Sequence, residues 1–230
     1  RGDVSRSMTA CVLMSYDPSQ KPIDPNTNPT PSTPVGVINS VFSASLDVYD
    51  TITNTWETKS LMSHPRGSLT LNWVIDPYQE SLYAIGGLNG NSVLAYNEMY
   101  DVYSDRWITK KSMNVPRFYH LSIQDLNYIY IFGGITSSGS DLQITRSVER
   151  YNLDTDTWED MPDMPILDQN PYGLAMASSI RIGNKAYFVG GVRKIGSKGS
   201  IEAMNDRIIV FDLDTYQWGV GEQILGLDFD

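Results

Sequence analysis

The sequence predicts an all-β protein made of four successive four-stranded sheets, and three observations carry that prediction. A triplet of an aromatic, a tryptophan and an apolar residue recurs with constant internal spacing: Tyr49–Trp56–Met62, Tyr100–Trp107–Met113, Tyr151–Trp158–Met164 and Phe211–Trp218–Ile224. The first three are spaced by 51 residues and the fourth follows after 60. Paired glycines end an apolar run ahead of the last three triplets, in "YAIGG" to Gly87, "YIFGG" to Gly134 and "YFVGG" to Gly191. Between these glycines no apolar pattern of helical period survives. A period near 50 marks a repeat architecture before any residue is interpreted singly.

The first unit, about 6–62, opens on "SRSMTACVLMSYDPSQ", which matches the first strand of later units and places Arg6 where Arg66 and Arg117 stand. No glycine pair follows. The segment "KPIDPNTNPTPSTPVG", 21–36, is rich in prolines that cannot donate to a central ladder, and reads as an inserted surface loop before a displaced second strand in "VGVINSVF". The second unit, about 66–113, restores the glycine pair at Gly86–Gly87. The third, about 117–164, is the clearest. "HLSI" is strand a and "YIYIFGG" strand b; "SVERYN" alternates as strand c, and "TWEDM" is strand d after the tight turn "DTDT". The fourth, about 171–224, is reached by a longer approach, "ILDQNPYG", and carries Pro171–Tyr172 where the others carry Pro–Arg.

The glycines have a physical reason: without Cβ they adopt positive φ and let a neighbouring strand approach. The Tyr and Trp rings supply broad apolar faces with polar tips. A lone four-stranded sheet cannot bury both faces, so such sheets must stack, and radial stacking protects their edges.

The glycine pairs, the Tyr/Phe-x6-Trp pairs and the "PR" at Pro65–Arg66 and Pro116–Arg117 resemble the Kelch repeat family of β-propellers over nearly the whole chain. The blades look most like those of eukaryotic Kelch proteins, including BTB–Kelch ubiquitin-ligase adaptors. The resemblance implies one Kelch-type β-propeller domain over 1–230, with a protein partner, a ubiquitin-ligase complex or a larger assembly as its context. Four blades are few for such a ring, which leaves room for further blades beyond them.

Composition narrows the function classes. A net charge of −10 argues against nucleic acid and anionic membrane surfaces, which need clustered Lys and Arg. No apolar run nears the roughly 20 residues of a membrane-spanning helix. The single Cys11 excludes an internal disulfide framework and a Cys-based zinc site. With no Asn-x-Ser/Thr acceptor in the chain, it leans toward a reducing, cytoplasmic setting. The chain begins at Arg1 rather than Met, which reads as a trimmed or processed start.

Antiparallel order puts the a–b and c–d loops on one face and the b–c and d–a loops on the other. Length and variety collect in the b–c segments "ITSSGSDLQITR" and "VRKIGSKGSIEAMND", so partner binding is expected on that second face. The candidate residues are Arg66, Arg117, Tyr119, His120, Tyr172, Arg193, Lys194 and Lys198. Arg193, Lys194 and Lys198 form a basic group suited to an acidic peptide, or equally a solvated loop.

Tyr119–His120 near the channel mouth resembles the copper site of galactose-oxidase relatives. That site needs a second His, a further Tyr and a Tyr–Cys crosslink, whereas the only other histidine is His64 and Cys11 lies in an apolar strand. No catalytic residue, metal or cofactor is therefore assigned. The leading expectation is a non-enzymatic interaction module. A propeller-type enzyme acting on a small molecule or carbohydrate, and a structural wall in a cytoskeletal or ciliary assembly, stay open as rivals.

Overall fold

The computed structural model describes residues 42–76, 79–138, 141–166, 172–196 and 200–223. Every regular element among them is a β-strand. The first unit contributes the antiparallel pair β1 (Leu46–Asp50) and β2 (Thr55–Lys59). Its expected strand a with Arg6 and Cys11, and the insert at 21–36, lie outside the described residues.

The second unit runs through β3 (Thr70–Asp76), β4 (Gln79–Ile85), the small ribbon β5 (Leu88–Asn89) and β6 (Ser92–Val93), then β7 (Asn97–Asp101) and β8 (Arg106–Lys110). The third repeats it with β9 (Leu121–Asp125), β10 (Tyr128–Phe132), the ribbon β11 (Ile135–Ser138) and β12 (Asp141–Ile144), then β13 (Val148–Asn152) and β14 (Thr157–Met161). The fourth has β15 (Ser178–Ile182), β16 (Lys185–Val189), the ribbon β17 (Val192–Ile195) and β18 (Ile201–Met204), then β19 (Arg207–Asp212) and β20 (Trp218–Gln223). The sheets are β3-β4-β7-β8, β9-β10-β13-β14 and β15-β16-β19-β20, each antiparallel. These are the blades of a propeller.

The recurrent spacing of seven is a register statement. Tyr49 pairs directly with Trp56, Tyr100 with Trp107, Tyr151 with Trp158 and Phe211 with Trp218, across the turn joining strands c and d. Opposed positions in an antiparallel pair share a face, so each ring packs on its tryptophan with centroids 4.7–5.2 Å apart. The third member of the triplet closes the blade. The N–H groups of Met62, Met113 and Met164 donate to the carbonyls of Ala44, Ala95 and Arg146, just ahead of strand c, with the methionine side chains buried.

Burial explains the near-continuous apolar run "YIYIF". Ile129, Ile131 and Tyr151 face the second blade, among Val74, Tyr83 and Ile85. On the other side Tyr130, Phe132 and Val148 face the fourth, among Phe188, Ile209 and Phe211. A central strand buried on both sides loses the polar alternation that marks a half-exposed one. Strands β3, β9 and β15 touch one another in turn, so the first strand of each blade lies innermost.

The b–c connections depart from the sequence expectation. They read as loops, yet each is a two-stranded ribbon set apart from its blade. The ribbons are only two to four residues per strand, too short to announce themselves locally.

Glycine is required where blades meet. Gly133 has φ 57°, and a Cβ there would be driven into the carbonyl oxygen of Leu174 from the next blade. Gly183, in the β15–β16 turn at φ 62°, would meet nothing within 4 Å. Gly183→Ala is expected to cost only the left-handed backbone penalty of about 1 kcal/mol. Gly133→Ala is expected to cost a further ~1–3 kcal/mol through overpacking, read as a clearly lower thermal midpoint by calorimetry. Equal midpoints for the two variants contradict this account of the blade junction.

Candidate functional site

The innermost segments converge on one rim. After Gly67, Phe118 and Ala175, which bridge to Leu88, Ile135 and Val192 of the ribbons, come Ser68, Tyr119 and Met176. All three adopt left-handed φ, at 56°, 51° and 56°, an uncommon state for residues with a side chain. Their backbones form a relay: the Tyr119 N–H donates to Ser68 O at 3.0 Å, and the Met176 N–H donates to Tyr119 O at 3.0 Å. Bonding between blades sustains a strain of order 1–2 kcal/mol per residue. Tyr119 and Met176 are exposed, at 39% and 43%. One fixed backbone position thus presents three different side chains on the ribbon side of the fold.

Arg66 and Arg117, expected at a partner surface, are fully buried. Arg66 bonds Glu98, and its Nη2 donates to Ala84 O at 2.9 Å. Arg117 Nη2 donates to Glu149 at 2.6 Å, while its Nη1 reaches the carbonyls of Gly133 and Ser147 at 2.9 and 2.8 Å. Burial pulls both guanidinium groups below their ordinary pKa. The carboxylates in turn accept d–a backbone donors: Ser63 N–H on Glu98, and Asn114 and Val115 N–H on Glu149. Burial alone would raise Glu98, but the bond and charge of Arg66, with the Ser63 N–H, hold it below the usual carboxylate value. These pairs stitch the entering segment to its own blade rather than offering a charge outward.

The fourth blade shows that Tyr172 is not their counterpart. Arg66 and Arg117 stand two residues before the left-handed Ser68 and Tyr119, and two before Met176 stands Leu174. The position of Glu98 and Glu149, opposite Ala84 and Ile131, is held by Ile209 opposite Phe188. Leu174 and Ile209 are both buried in one cluster, so both halves of the ion pair are replaced together by apolar residues. Tyr172 instead packs partly buried among Phe118, Ile144 and Ala175 beneath the ribbons.

His120 is buried too. Its Nε2 lies 2.8 Å from Thr70 Oγ1, its ring lies in the space left by Gly86, and its Cβ and backbone lie in the space left by Gly134. Burial, with the Arg117 charge second, pushes its pKa down to about 3, so it is neutral near pH 7. Tyr119 and His120 are adjacent in sequence, but one faces solvent and the other the core; they do not converge. His64 stacks on Tyr96 at 3.8 Å between ring centres. Among the described residues, no three His, Cys, Asp or Glu are grouped to hold a metal.

Of the basic group, Arg193 is buried, and Lys194 reaches Glu202 at 2.8 Å across its ribbon, both side chains about two-fifths exposed. Lys198 lies outside the described residues. Arg193 and Lys194 do not share one exposed face, because alternate residues of a strand point to opposite sides.

Sequence reasoning missed the latch between blades. Asp156, at φ 53°, accepts from Tyr151 OH at 2.6 Å and from Lys111 N–H of the preceding blade at 2.8 Å. Trp158 Nε1 donates to the carbonyl of the same Lys111 at 2.7 Å. Asp105, Tyr100 and Trp107 repeat this on Ser60. In the fourth blade Trp218 donates to Pro162 O at 3.0 Å, while Tyr216 and Phe211 replace the acid and the tyrosine. Pro162 has no N–H for a carboxylate to accept, so the substitutions agree. The signal was present in the sequence: Asp105 and Asp156 each stand five residues past their tyrosine.

Arg117→Leu leaves Glu149 buried without its cation and is expected to destabilise the protein by ~3–5 kcal/mol. Adding Glu149→Ile, the fourth blade's solution, is expected to recover at least half of that loss in a thermal double-mutant cycle; strictly additive losses contradict it. His120 is charged in the unfolded chain below its ordinary value of 6.5 but neutral in the fold down to about 3. Its share of stability is therefore complete above pH 6.5 and lost as pH falls from there toward 3, on the order of 1 kcal/mol per pH unit. A His120→Asn variant is expected to show a shallower decline of unfolding free energy between pH 7 and 5; an unchanged slope contradicts it.

Comparisons with known proteins agree with this architecture. A Kelch motif family model matches residues 78–114 and 116–165. Kelch domain-containing protein 10 of Xenopus tropicalis is 29% identical over 145 residues, covering 60% of this chain and 33% of the relative. Kelch-like protein 15 of Mus musculus is 28% identical over 193 residues, covering 78% and 30%. The chain thus spans about a third of the length of these curated relatives. An N-(sulfonatooxy)prop-2-enimidothioate sulfolyase of Thlaspi arvense is 26% identical over 187 residues, covering 75% and 53%. The solved structure of YjhT superposes with a TM-score of 0.65 at 18% identity over 81% of this chain and 61% of its own, a likeness of fold. No helix among the described residues is long and apolar enough to cross a membrane. With its glycine-paired blades and opposed Tyr–Trp pairs, the chain carries the Kelch motif over residues 78–114 and 116–165 and is similar to Kelch-like and Kelch domain-containing proteins.

Proposed function

We propose that the chain is a non-catalytic protein-interaction module that holds its partner on the face carrying the ribbons and the Ser68–Tyr119–Met176 rim. One observation carries this reading: a strained backbone position repeated in three blades holds Ser68 half-buried and Tyr119 and Met176 exposed, beside ribbons that differ in length and composition from blade to blade. The buried Arg–Glu pairs and latches keep the scaffold independent of those side chains, so recognition can change without refolding. Exposed Tyr and Met are suited to protein surfaces, Tyr as a rigid amphipathic anchor and Met as an adaptable one. Lys194, about two-fifths exposed and paired with Glu202 across its ribbon, places a charged group at the edge of the same face. Similarity to Kelch-like relatives supports a protein partner, with a substrate-adaptor or scaffold role as the finer reading.

A catalytic reading has similarity to the sulfolyase behind it. The burial of His120 and its bond to Thr70 weigh against that residue as an acid, base or ligand. Turnover of N-(sulfonatooxy)prop-2-enimidothioate by the purified chain is the outcome that favours catalysis.

The interaction reading is tested by Tyr119→Asn, since Asn tolerates left-handed φ, combined with Lys194→Ala. The double variant is expected to keep its thermal midpoint within about 2 °C, as surface changes do. Capture of the partner from source-cell extract, quantified by mass spectrometry, is expected to fall at least tenfold. Tyr103→Ala, in a c–d turn on the opposite face, is expected to leave capture intact. Equal capture by all three proteins rejects this face.

A further inference from the structure

The ribbon of the second blade turns through "LNGNS", residues 88–92, and no other asparagine of the chain precedes a glycine. Register pairs Leu88 with Val93 and Asn89 with Ser92, so Gly90 and Asn91 are the two central residues of the turn. Gly90 takes φ 58°, which suits glycine at the first central position of a two-residue hairpin turn. Asn89 is the last residue of its strand. The tip therefore brings together the Gly90 amide nitrogen and the carboxamide of Asn89 with little around them. The Gly90 N–H lies outside the ladder, which ends at the Asn89–Ser92 pair. Glycine has no Cβ to shield that nitrogen, and a Cβ placed on Gly90 would meet nothing within 4 Å among the described residues. Asn89 and Gly90 are both exposed, so water reaches the amide. Asn91 is equally exposed two residues on, but the residue after it, Ser92, carries a Cβ and sits in the ladder opposite Asn89.

The same side chain holds the ribbon in place. Asn89 Nδ2 donates to Pro65 O at 2.7 Å, tying the ribbon tip to the d–a segment that delivers Arg66. The root of the ribbon is held separately: the Gly67 N–H donates to Leu88 O at 3.0 Å, and the Leu88 N–H donates to Gly67 O at 2.8 Å. A single exposed hydrogen bond delays attack on the amide several-fold and does not prevent it. Reactive group and clamp are thus one residue, so its chemistry is coupled to the position of the ribbon.

We propose that Asn89 is a self-modification site, at which the ribbon tip converts to aspartyl and isoaspartyl forms and releases its clamp. The Gly90 nitrogen bonds to Asn89 Cγ, the Cγ–Nδ2 bond breaks, and Nδ2 leaves as ammonia carrying the proton that the Gly90 nitrogen gives up. The succinimide so formed takes up one water. Opening at Cγ leaves aspartate; opening at the main-chain carbonyl leaves isoaspartate, in which the chain runs on through Cγ. One water is consumed and one ammonia released, with no oxidant or cofactor. Either product sets a carboxylate, which cannot donate, against Pro65 O in place of an amide N–H. The isoaspartyl form also lengthens the backbone by one carbon at the end of the ladder, where a two-residue turn fixes the Asn89–Ser92 pair. The ribbon is then held by its root alone and carries a new negative charge. This chemistry does not rest on the interaction reading and uses none of the rim residues.

Incubation of the purified, folded chain at 37 °C and pH 8 tests it, followed by peptide mapping with electron-transfer fragmentation, which separates aspartate from isoaspartate. Asn89 is expected to gain about one mass unit, as a mixture that contains isoaspartate, about tenfold or more faster than Asn91. Gly90→Asn keeps a residue that tolerates positive φ but adds a Cβ beside the nitrogen, and is expected to slow conversion at Asn89 about tenfold or more. Asn89→Asp reproduces the product without the wait. Its Leu88 and Ser92 amides are expected to exchange hydrogen about threefold or more faster than in the unmodified chain, with a thermal midpoint within about 2 °C. An Asn89 that stays intact in the folded chain, a product without isoaspartate, a rate no faster than at Asn91 or a rate indifferent to Gly90→Asn overturns the modification site. Unchanged exchange in Asn89→Asp overturns the release of the clamp.

Discussion

The structure depends on one constraint: a blade has two apolar faces and cannot present either to water. Each sheet therefore gains its stability by stacking on its neighbours. Burying a single Ile or Phe of such a face contributes about 1.5–3 kcal/mol, and each junction buries several. Apolar burial has no direction, however, and would tolerate many rotations of one sheet on the next. The Trp indole bond and the Asp turn bond to a single residue of the preceding blade, Ser60 or Lys111, remove that freedom. The hydrophobic effect supplies the attraction, and the latch supplies the register.

The fourth blade shows that the repeat consists of matched pairs rather than of fixed residues. Where the arginine gives way to Leu174, its glutamate gives way to Ile209. Where the preceding blade offers Pro162 and no N–H, the accepting aspartate becomes Tyr216 and the tyrosine becomes Phe211. Either half changed alone would bury an unpaired charge or strand a polar group. Changed together, the position closes on apolar contacts, and Tyr216 OH accepts a bond from Arg150 Nη1 at 2.7 Å.

This division of labour bears on function. Charges that look available in the sequence, Arg66 and Arg117 above all, are consumed inside the scaffold. What remains for recognition lies where the chain is least regular: the ribbons and the rim they border. A partner read through those side chains would leave the blade junctions untouched, which is how one scaffold accommodates different ligands.

The glycine pairs and the seven-residue Tyr–Trp spacing made the all-β class and the four-stranded sheets legible, because opposed positions in a short antiparallel pair leave a constant interval in the chain. The site was less legible. Arg66 and Tyr119 sit in similar polar stretches, yet one is buried against Glu98 and the other exposed by a left-handed backbone, and nothing local separates them. The alignment of Tyr172 with the arginines also failed locally, since only the bridge from Ala175 to Val192 shows that Leu174 holds that place. Periodicity, a property of neighbours along the chain, was determined by the sequence alone. Which charges are buried, which turns reach the next blade and which side chains face outward were decided only by the tertiary structure, because each depends on residues some 30–60 positions away that stacking brings within hydrogen-bond distance.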